Sequence, residues 1–189
     1  NNAKKYYQKA IEINSYYAPA LSNLGIIELN IGNTKDALSL LIKATESDPQ
    51  LAPAWANLAN CYLQLEGKAK EAEIACRKAI ELNPNIFYSH FFLASILIGE
   101  QKLQEAEQPL RKSIELKPDF FQAHLKLGAV LKDLGKLQEA EISIRKSIEL
   151  NPSLFNSHFL LGTILLEQKK PQEAEQPLRK SIELKPDFF

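Results

Sequence analysis

Three histidines set the first question of chemistry. His90, His124 and His158 recur at intervals of 34 residues, and imidazole is both a frequent metal ligand and a general base. Zinc, however, needs ligands that converge on one ion at about 2 Å. Histidines that hold one position in successive repeats stand on neighbouring helices, whose axes pack roughly 8–10 Å apart. No metal site is expected, and each histidine reads as a half-buried ring in the position that Trp55 fills elsewhere. Cys61 and Cys76 fall on the two helices of one hairpin and read as small buried hydrophobes rather than a redox pair. Glu105, Glu107, Glu139 and Glu141 recur with the same period among lysines and arginines. That is the pattern of a solvated helix face, not of general acids held in a cleft. The Arg-Lys pairs at 111–112, 145–146 and 179–180 each have a glutamate one turn later, at Glu115, Glu149 and Glu183. The run from Gly128 to Gly135-Lys136 lacks phosphate-loop spacing and continues into leucine instead of serine or threonine. The sequence therefore offers no catalytic residue and no cofactor, and the chain is not expected to be an enzyme.

Composition narrows the partners. The 189 residues carry 23 basic and 23 acidic side chains, so no excess positive field exists to hold nucleic acid or an anionic membrane. The longest apolar stretch, 91–98, is far short of the roughly 20 residues of a spanning helix. Two cysteines are too few for a disulfide scaffold and point to a reducing compartment, so a cytoplasmic location is expected.

The elements that must position these groups repeat. Pro49, Pro84, Pro118, Pro152 and Pro186 follow one another after 35, 34, 34 and 34 residues, and a fixed period of that size means an array of one supersecondary unit. The same step finds Leu24, Leu58, Leu93, Leu127 and Leu161, and beside them Gly25, Ala59, Ala94, Gly128 and Gly162. Ala3, Ala37, Ala72, Ala106, Ala140 and Ala174 form a third column, and Ala10, Ala44, Ala79, Ser113, Ser147 and Ser181 a fourth. Columns of small residues mark close helix approach. Within 119–152, apolar residues run at helical spacing, Gly135-Lys136 interrupts them, and a second helix runs from about 137 to 150. Each unit is a helical hairpin, with Gly32, Gly67 and Gly135 suited to the left-handed turn after a first helix and a proline closing the second.

These residues resemble the tetratricopeptide repeat family. The best single match reads Trp55, Leu58-Ala59, Tyr62, Ala72, Ala79, Pro84, and the columns in register carry the likeness along essentially the whole chain. The resemblance implies an all-α, right-handed solenoid of stacked antiparallel helix pairs. Its repeats would be a lone second helix in 1–15, five units at 16–49, 50–84, 85–118, 119–152 and 153–186, and the start of another in 187–189. It also implies a non-catalytic interaction scaffold that binds peptide or protein segments in a concave groove lined by first helices. The groove candidates are Asn23, Asn57 and Asn60, then Tyr88, Phe91, Phe92, Leu125, Lys126 and Phe159. Asn23 and Asn57 resemble the asparagine ladder of the repeat domain of O-linked N-acetylglucosamine transferases, and an amide supplies the donor and acceptor that an extended backbone needs. The ladder lapses at Phe92, Lys126 and Leu160. The alternative is a substrate-recruiting segment of a larger enzyme such as a protein-modifying transferase.

Four departures carry expectations of their own. Glu28 stands where a large apolar residue is the family pattern, and Glu66 is an extra residue in a turn. Pro109 and Pro177 fall inside second helices, predicting a kink or a late start. Both ends of the chain fall mid-repeat, which predicts continuation beyond them and self-association through uncapped faces, with Tyr6, Tyr7 and Ile11 at one end and Leu178, Ile182 and Phe188-Phe189 at the other.

Overall fold

The computed structural model describes residues 2–188. Eleven α-helices follow in order: α1 Asn2–Ile13, α2 Ala18–Asn30, α3 Thr34–Ser47, α4 Ala52–Leu63, α5 Ala69–Leu82, α6 Phe87–Gly99, α7 Leu103–Leu116, α8 Phe121–Asp133, α9 Leu137–Leu150, α10 Phe155–Glu167 and α11 Pro171–Leu184. A 3-10 turn, Pro186–Phe188, follows them, and the described residues contain no strand. No helix of the described residues is long and apolar enough to cross a membrane.

The chain forms two compact units, Asn1–Ile96 and Leu97–Phe189. In the first, α2 pairs with α3 and α4 with α5, α1 packs on α2, and α4 stacks on both α2 and α3. In the second, α8 pairs with α9 and α10 with α11, while α7 packs on α8 and α9 on α10. Helices of 13 or 14 residues are marginal in isolation, so their stability comes from burying one face against a neighbour.

In three pairs the helices approach most closely at a first-helix glycine. A Cβ on Gly25 would lie 2.7 Å from Leu41 Cγ, and one on Gly128 would collide with Ile144 Cδ1 and Cγ1 while sitting 3.3 Å from the Ala140 carbonyl. Gly162 stands in the same relation to Leu178. In the pair α4–α5 the glycine is replaced by Ala59, and the register sets Cys76 where the other pairs have leucine or isoleucine. Both are fully buried. That repeat combines a methyl with a smaller partner, whereas the repeat holding α6 and α7 has Ala94 and Leu110 at the same register, both fully buried.

The turns follow the glycine pattern and then leave it. Gly32, Gly67 and Gly135 have positive φ, but so do Gln101 and Lys169, which occupy the corresponding turns. At each of the latter two a backbone N–H reaches back five residues, Lys102 to Leu97 at 2.8 Å and Lys170 to Leu165 at 2.9 Å. Those bonds cap the helix end, and they hold an L-residue in a conformation that costs about 1–2 kcal/mol relative to the right-handed one. The extra Glu66 is absorbed by the turn between Gln64 and Lys68.

Pro109 and Pro177 do not delay their helices. α7 and α11 begin at Leu103 and Pro171, in register with α9 at Leu137, and run through both prolines. Each ring removes one backbone donor, but its φ suits a helix and it is buried where α5 has Ala75 and α9 has Ser143. At the chain ends, Ile11 is half-buried and packs against Leu21, Ala44 and Ala54, whereas Tyr6 is 72% exposed. Leu178 is half-buried and Ile182 exposed. The Phe188 side chain and Phe189 lie outside the described residues.

Two stability outcomes are expected. Gly128→Ala should lower stability by about 1–3 kcal/mol through overpacking, and adding Ile144→Cys should recover part of it by recreating the Ala59–Cys76 combination; chemical denaturation of the single and double variants measures this. Lys169→Gly should raise stability by about 0.5–1 kcal/mol, read as a higher thermal midpoint.

Candidate functional site

The histidines serve the turns. Trp55 Nε1 donates to the Pro49 carbonyl at 2.9 Å, and Nε2 of His90, His124 and His158 bonds the carbonyls of Pro84, Pro118 and Pro152 at 2.8, 2.9 and 2.8 Å. A carbonyl only accepts, so each Nε2 carries the proton. The ring nitrogen locks the turn between a second helix and the next first helix, spanning six residues each time. Where Ser15 takes the proline position, the corresponding residue is Leu21, a fully buried hydrophobe with no donor.

The cysteines are buried and free. Cys61 packs with Leu29, Ala37, Leu41 and Leu58, and its thiol points to the Thr34 carbonyl at 3.8 Å. It therefore faces the preceding helix pair. Burial pushes the Cys61 thiol up and that of Cys76 to about 12, which leaves neither as a thiolate nucleophile near neutral pH.

Charges form a ladder on the second helices. Glu107 accepts from Arg111 at 2.9 Å and from Lys136 at 2.8 Å, and Arg111 also reaches Glu139. Glu141 repeats this with Arg145 at 2.8 Å and Lys170 at 3.4 Å. Hydrogen bonding to Lys136 above all holds the Glu107 carboxyl below its ordinary value. The glutamates one turn after each Arg-Lys pair, Glu115, Glu149 and Glu183, bind Lys112, Lys146 and Lys180 at 2.6, 2.6 and 2.9 Å. Glu28 is buried yet paired, with Lys4 Nζ at 2.7 Å and Asn33 Nδ2 at 2.8 Å. Those two contacts, Lys4 first, hold its carboxyl low and tie α1 to the end of α2.

The residues expected to line a groove fall on first helices of both units. In the first unit Asn23 is exposed on α2, and Asn57 on α4 is half-buried with its Nδ2 donating to Ser22 Oγ at 3.0 Å. Asn60 is half-buried one turn further along α4. On α6, Tyr88 packs its ring edge near Phe92 at a centroid distance of 5.9 Å, and Phe91 and Phe92 lie 6.0 Å apart. Tyr88 also rests on the cluster of Ala52, Ala56, Ala79 and Ile86, and burial raises its phenol. In the second unit Leu125 and Lys126 on α8 and Phe159 on α10 are half-buried, and burial lowers the Lys126 ammonium.

The cavities lie elsewhere. A cleft of about 800 Å³ runs between α9 and α11, lined by Arg145, Ile148, His158, Leu161, Pro177 and neighbours. A second, of about 480 Å³, has Arg111, Ile114, His124, Leu127 and Lys146 in the corresponding places one repeat earlier. A third, of about 450 Å³, surrounds Glu28 and Lys4. Sequence reasoning passed over the first two because their residues read individually as a paired, solvated face; the signal present was the 34-residue recurrence of the Arg, Ile and Glu that wall them.

With helix pairs, turn locks and repeat period in place, the comparison with known proteins decides the family. Residues 1–187 match the model of the Cilia and flagella-associated protein 70 C-terminal domain. The chain belongs to this tetratricopeptide family. Superkiller complex protein 3 of Mus musculus is 31% identical over 81 residues, 43% of this chain and 5% of that protein, so the chain spans a small part of its length. Among solved structures, YrrB, described as a TPR protein with an unusual peptide-binding site, aligns with a TM-score of 0.77 at 24% identity over 96% of this chain and 93% of its own. MamA from Desulfovibrio magneticus RS-1 aligns with a TM-score of 0.77 at 20% identity over 89% and 95%. These likenesses show the fold: an all-α solenoid of stacked helix pairs.

The Glu107 contacts carry a pH signature. A carboxyl held low in the folded chain contributes stability above its unfolded pKa, near 4.3, and that contribution is lost as pH falls through the folded value. With Lys136 and Arg111 nearly half exposed, the contribution is expected to be no more than about 1 kcal/mol. Glu107→Gln should therefore lower stability slightly at pH 7 and converge with the unsubstituted chain at pH 3, as measured by urea unfolding at the two pH values.

Proposed function

We propose that this chain is a non-catalytic protein-interaction module that captures extended peptide or protein segments on its first-helix face. The observation that carries the reading is the Asn57 amide. Ser22 Oγ accepts from its Nδ2 at 3.0 Å, which fixes the orientation of the side chain, and the exposed Asn23 stands next to Ser22 on the same helix. An oriented amide presents both a donor and an acceptor, and orientation before binding lowers the entropy lost on binding. An extended backbone is the matching partner, since it offers an N–H and a carbonyl at each residue. Asn60, Tyr88, Phe91 and Phe92 would supply further polar and aromatic contacts from the first unit. In the second unit, taken by itself, Leu125, Lys126 and Phe159 would offer apolar anchors with one cation to a segment bound there.

A peptide array probed with the chain tests this. For a selected peptide, Asn57→Ala should weaken binding by about tenfold, a loss of about 1.4 kcal/mol. Ser22→Ala should weaken it less, and helicity by circular dichroism should stay unchanged in both. Affinity that survives Asn23→Ala combined with Asn57→Ala would rule the amide contacts out.

A further inference from the structure

One stretch of this chain occurs twice in different surroundings. Residues 104–121 recur letter for letter at 172–189, so apart from its first residue α11 repeats α7. In the first setting the hairpin α8–α9 covers α7. α8 packs on it, Lys136 in the turn before α9 donates to Glu107 at 2.8 Å, and Arg111 reaches Glu139. Glu107 is left 16% exposed and Ile114 half-buried. The pair α10–α11 covers α9 in the same manner, with Lys170 on Glu141 at 3.4 Å and Ser157 bonded to Ser147 at 2.9 Å. In the second setting that face is bare. Glu175, in the place of Glu107, is 63% exposed with Arg179 as its ion-pair partner, and Ile182, in the place of Ile114, is 47% exposed. Ser181, in the place of Ser147, is buried with no hydrogen-bond partner.

The same side chains on the same helix present the same face, so what covers α7 identifies what fits α11. Four features of α8–α9 meet it. Ala123 stands opposite the serine, Leu127 lines one cleft with the isoleucine, Lys136 binds the glutamate and Glu139 the arginine. Repeats of an array touch only their neighbours, so a separate chain bearing these features meets the contacts that α8–α9 makes. We propose that the outer face of α11 captures a helical hairpin from a partner protein of this repeat class. That hairpin carries a small residue and a leucine on its first helix, a lysine in its turn and a glutamate three residues later. Burial of Ile182 drives the contact, and the lysine fixes its register as the second cation on Glu175. A second copy of the chain has no such hairpin to lend. Among the described residues α2 already lies on α1, α4 on α3, α8 on α7 and α10 on α9, Tyr88 of α6 rests on Ala79 of α5, and the turn before α3 has Asn33 where the lysine is needed.

A labelled peptide of residues 119–152, titrated with the 189-residue chain, tests the proposal by fluorescence anisotropy, with circular dichroism following the helix formed on binding. Saturable one-to-one capture is expected. Ile182→Glu should raise the dissociation constant by at least about tenfold without loss of helicity in the chain. Glu175→Lys should weaken capture by about threefold, and a peptide with Lys136→Glu should recover it. Extending the chain with residues 122–152 after Phe189 places the same hairpin on α11 in cis and should abolish capture. Three results would each overturn the proposal: no saturable binding up to millimolar chain, binding that both α11 substitutions leave unchanged, or a chain that gains mass by itself through Ile182, which would make a second copy the occupant.

Discussion

A two-helix hairpin of this length has two faces to bury and only one partner within itself. The approach of its helices at Gly25, Gly128 and Gly162 lets Leu41, Ile144 and Leu178 lie directly on a backbone, where packing is densest. Close contact inside each pair leaves the outer faces apolar, and those faces need the next pair. Ala56 of α4, Ala79 of α5 and Ile86 of the following turn form one cluster, on which Tyr88 of α6 also packs, so a pair shares its core with the start of the next helix. Stability in such an array is a sum of local pairs and neighbour contacts, so a single added methyl at one glycine is felt by that pair and the ones touching it.

The turns between pairs are the second requirement. A proline closes α3, α5, α7 and α9, and the carbonyl of each, at the exposed turn, accepts a hydrogen bond from the next first helix. Trp55 and the three histidines supply it from one turn into the following helix. The residue types differ greatly in chemistry and agree in one property, an N–H on a flat ring at the right reach. Chemistry that invites a metal or base reading is thereby consumed in holding the chain's direction. The small column shows the same economy at lower stakes. Ser147 and Ser157 share a hydrogen bond at 2.9 Å, while Ser89 and Ser113, whose opposite register positions are Ala79 and Ala123, have buried hydroxyls with no partner.

With these contacts used for stacking, what remains for binding is the first-helix face and the clefts between second helices. They differ in kind. The first carries amides and half-buried aromatics, suited to a backbone that brings its own hydrogen-bonding groups. The second is lined by Ile148, Leu161 and Pro177 among cations that are paired within the chain.

The helix order, the turn positions and the columns of close approach were all readable from the residues, because each depends on spacing within about 34 positions: helical periodicity, glycine after a first helix, proline after a second, and small residues at a fixed step. The structure decided what those rules do not encode. Gln101 and Lys169 adopt a glycine-like turn because a backbone bond reaching five residues back outweighs their intrinsic preference. Pro109 and Pro177 sit inside helices that continue through them, with both rings buried. The candidate site divides in the same way. Its residue types were legible on the first helices, but Asn57 bonds Ser22 across 35 positions, Glu28 bonds Lys4 across 24, and the second-helix clefts exist only once α9 and α11 are side by side. Such contacts depend on the rise and rotation from one pair to the next, which comes from the summed volumes of packed side chains and from no single stretch of chain.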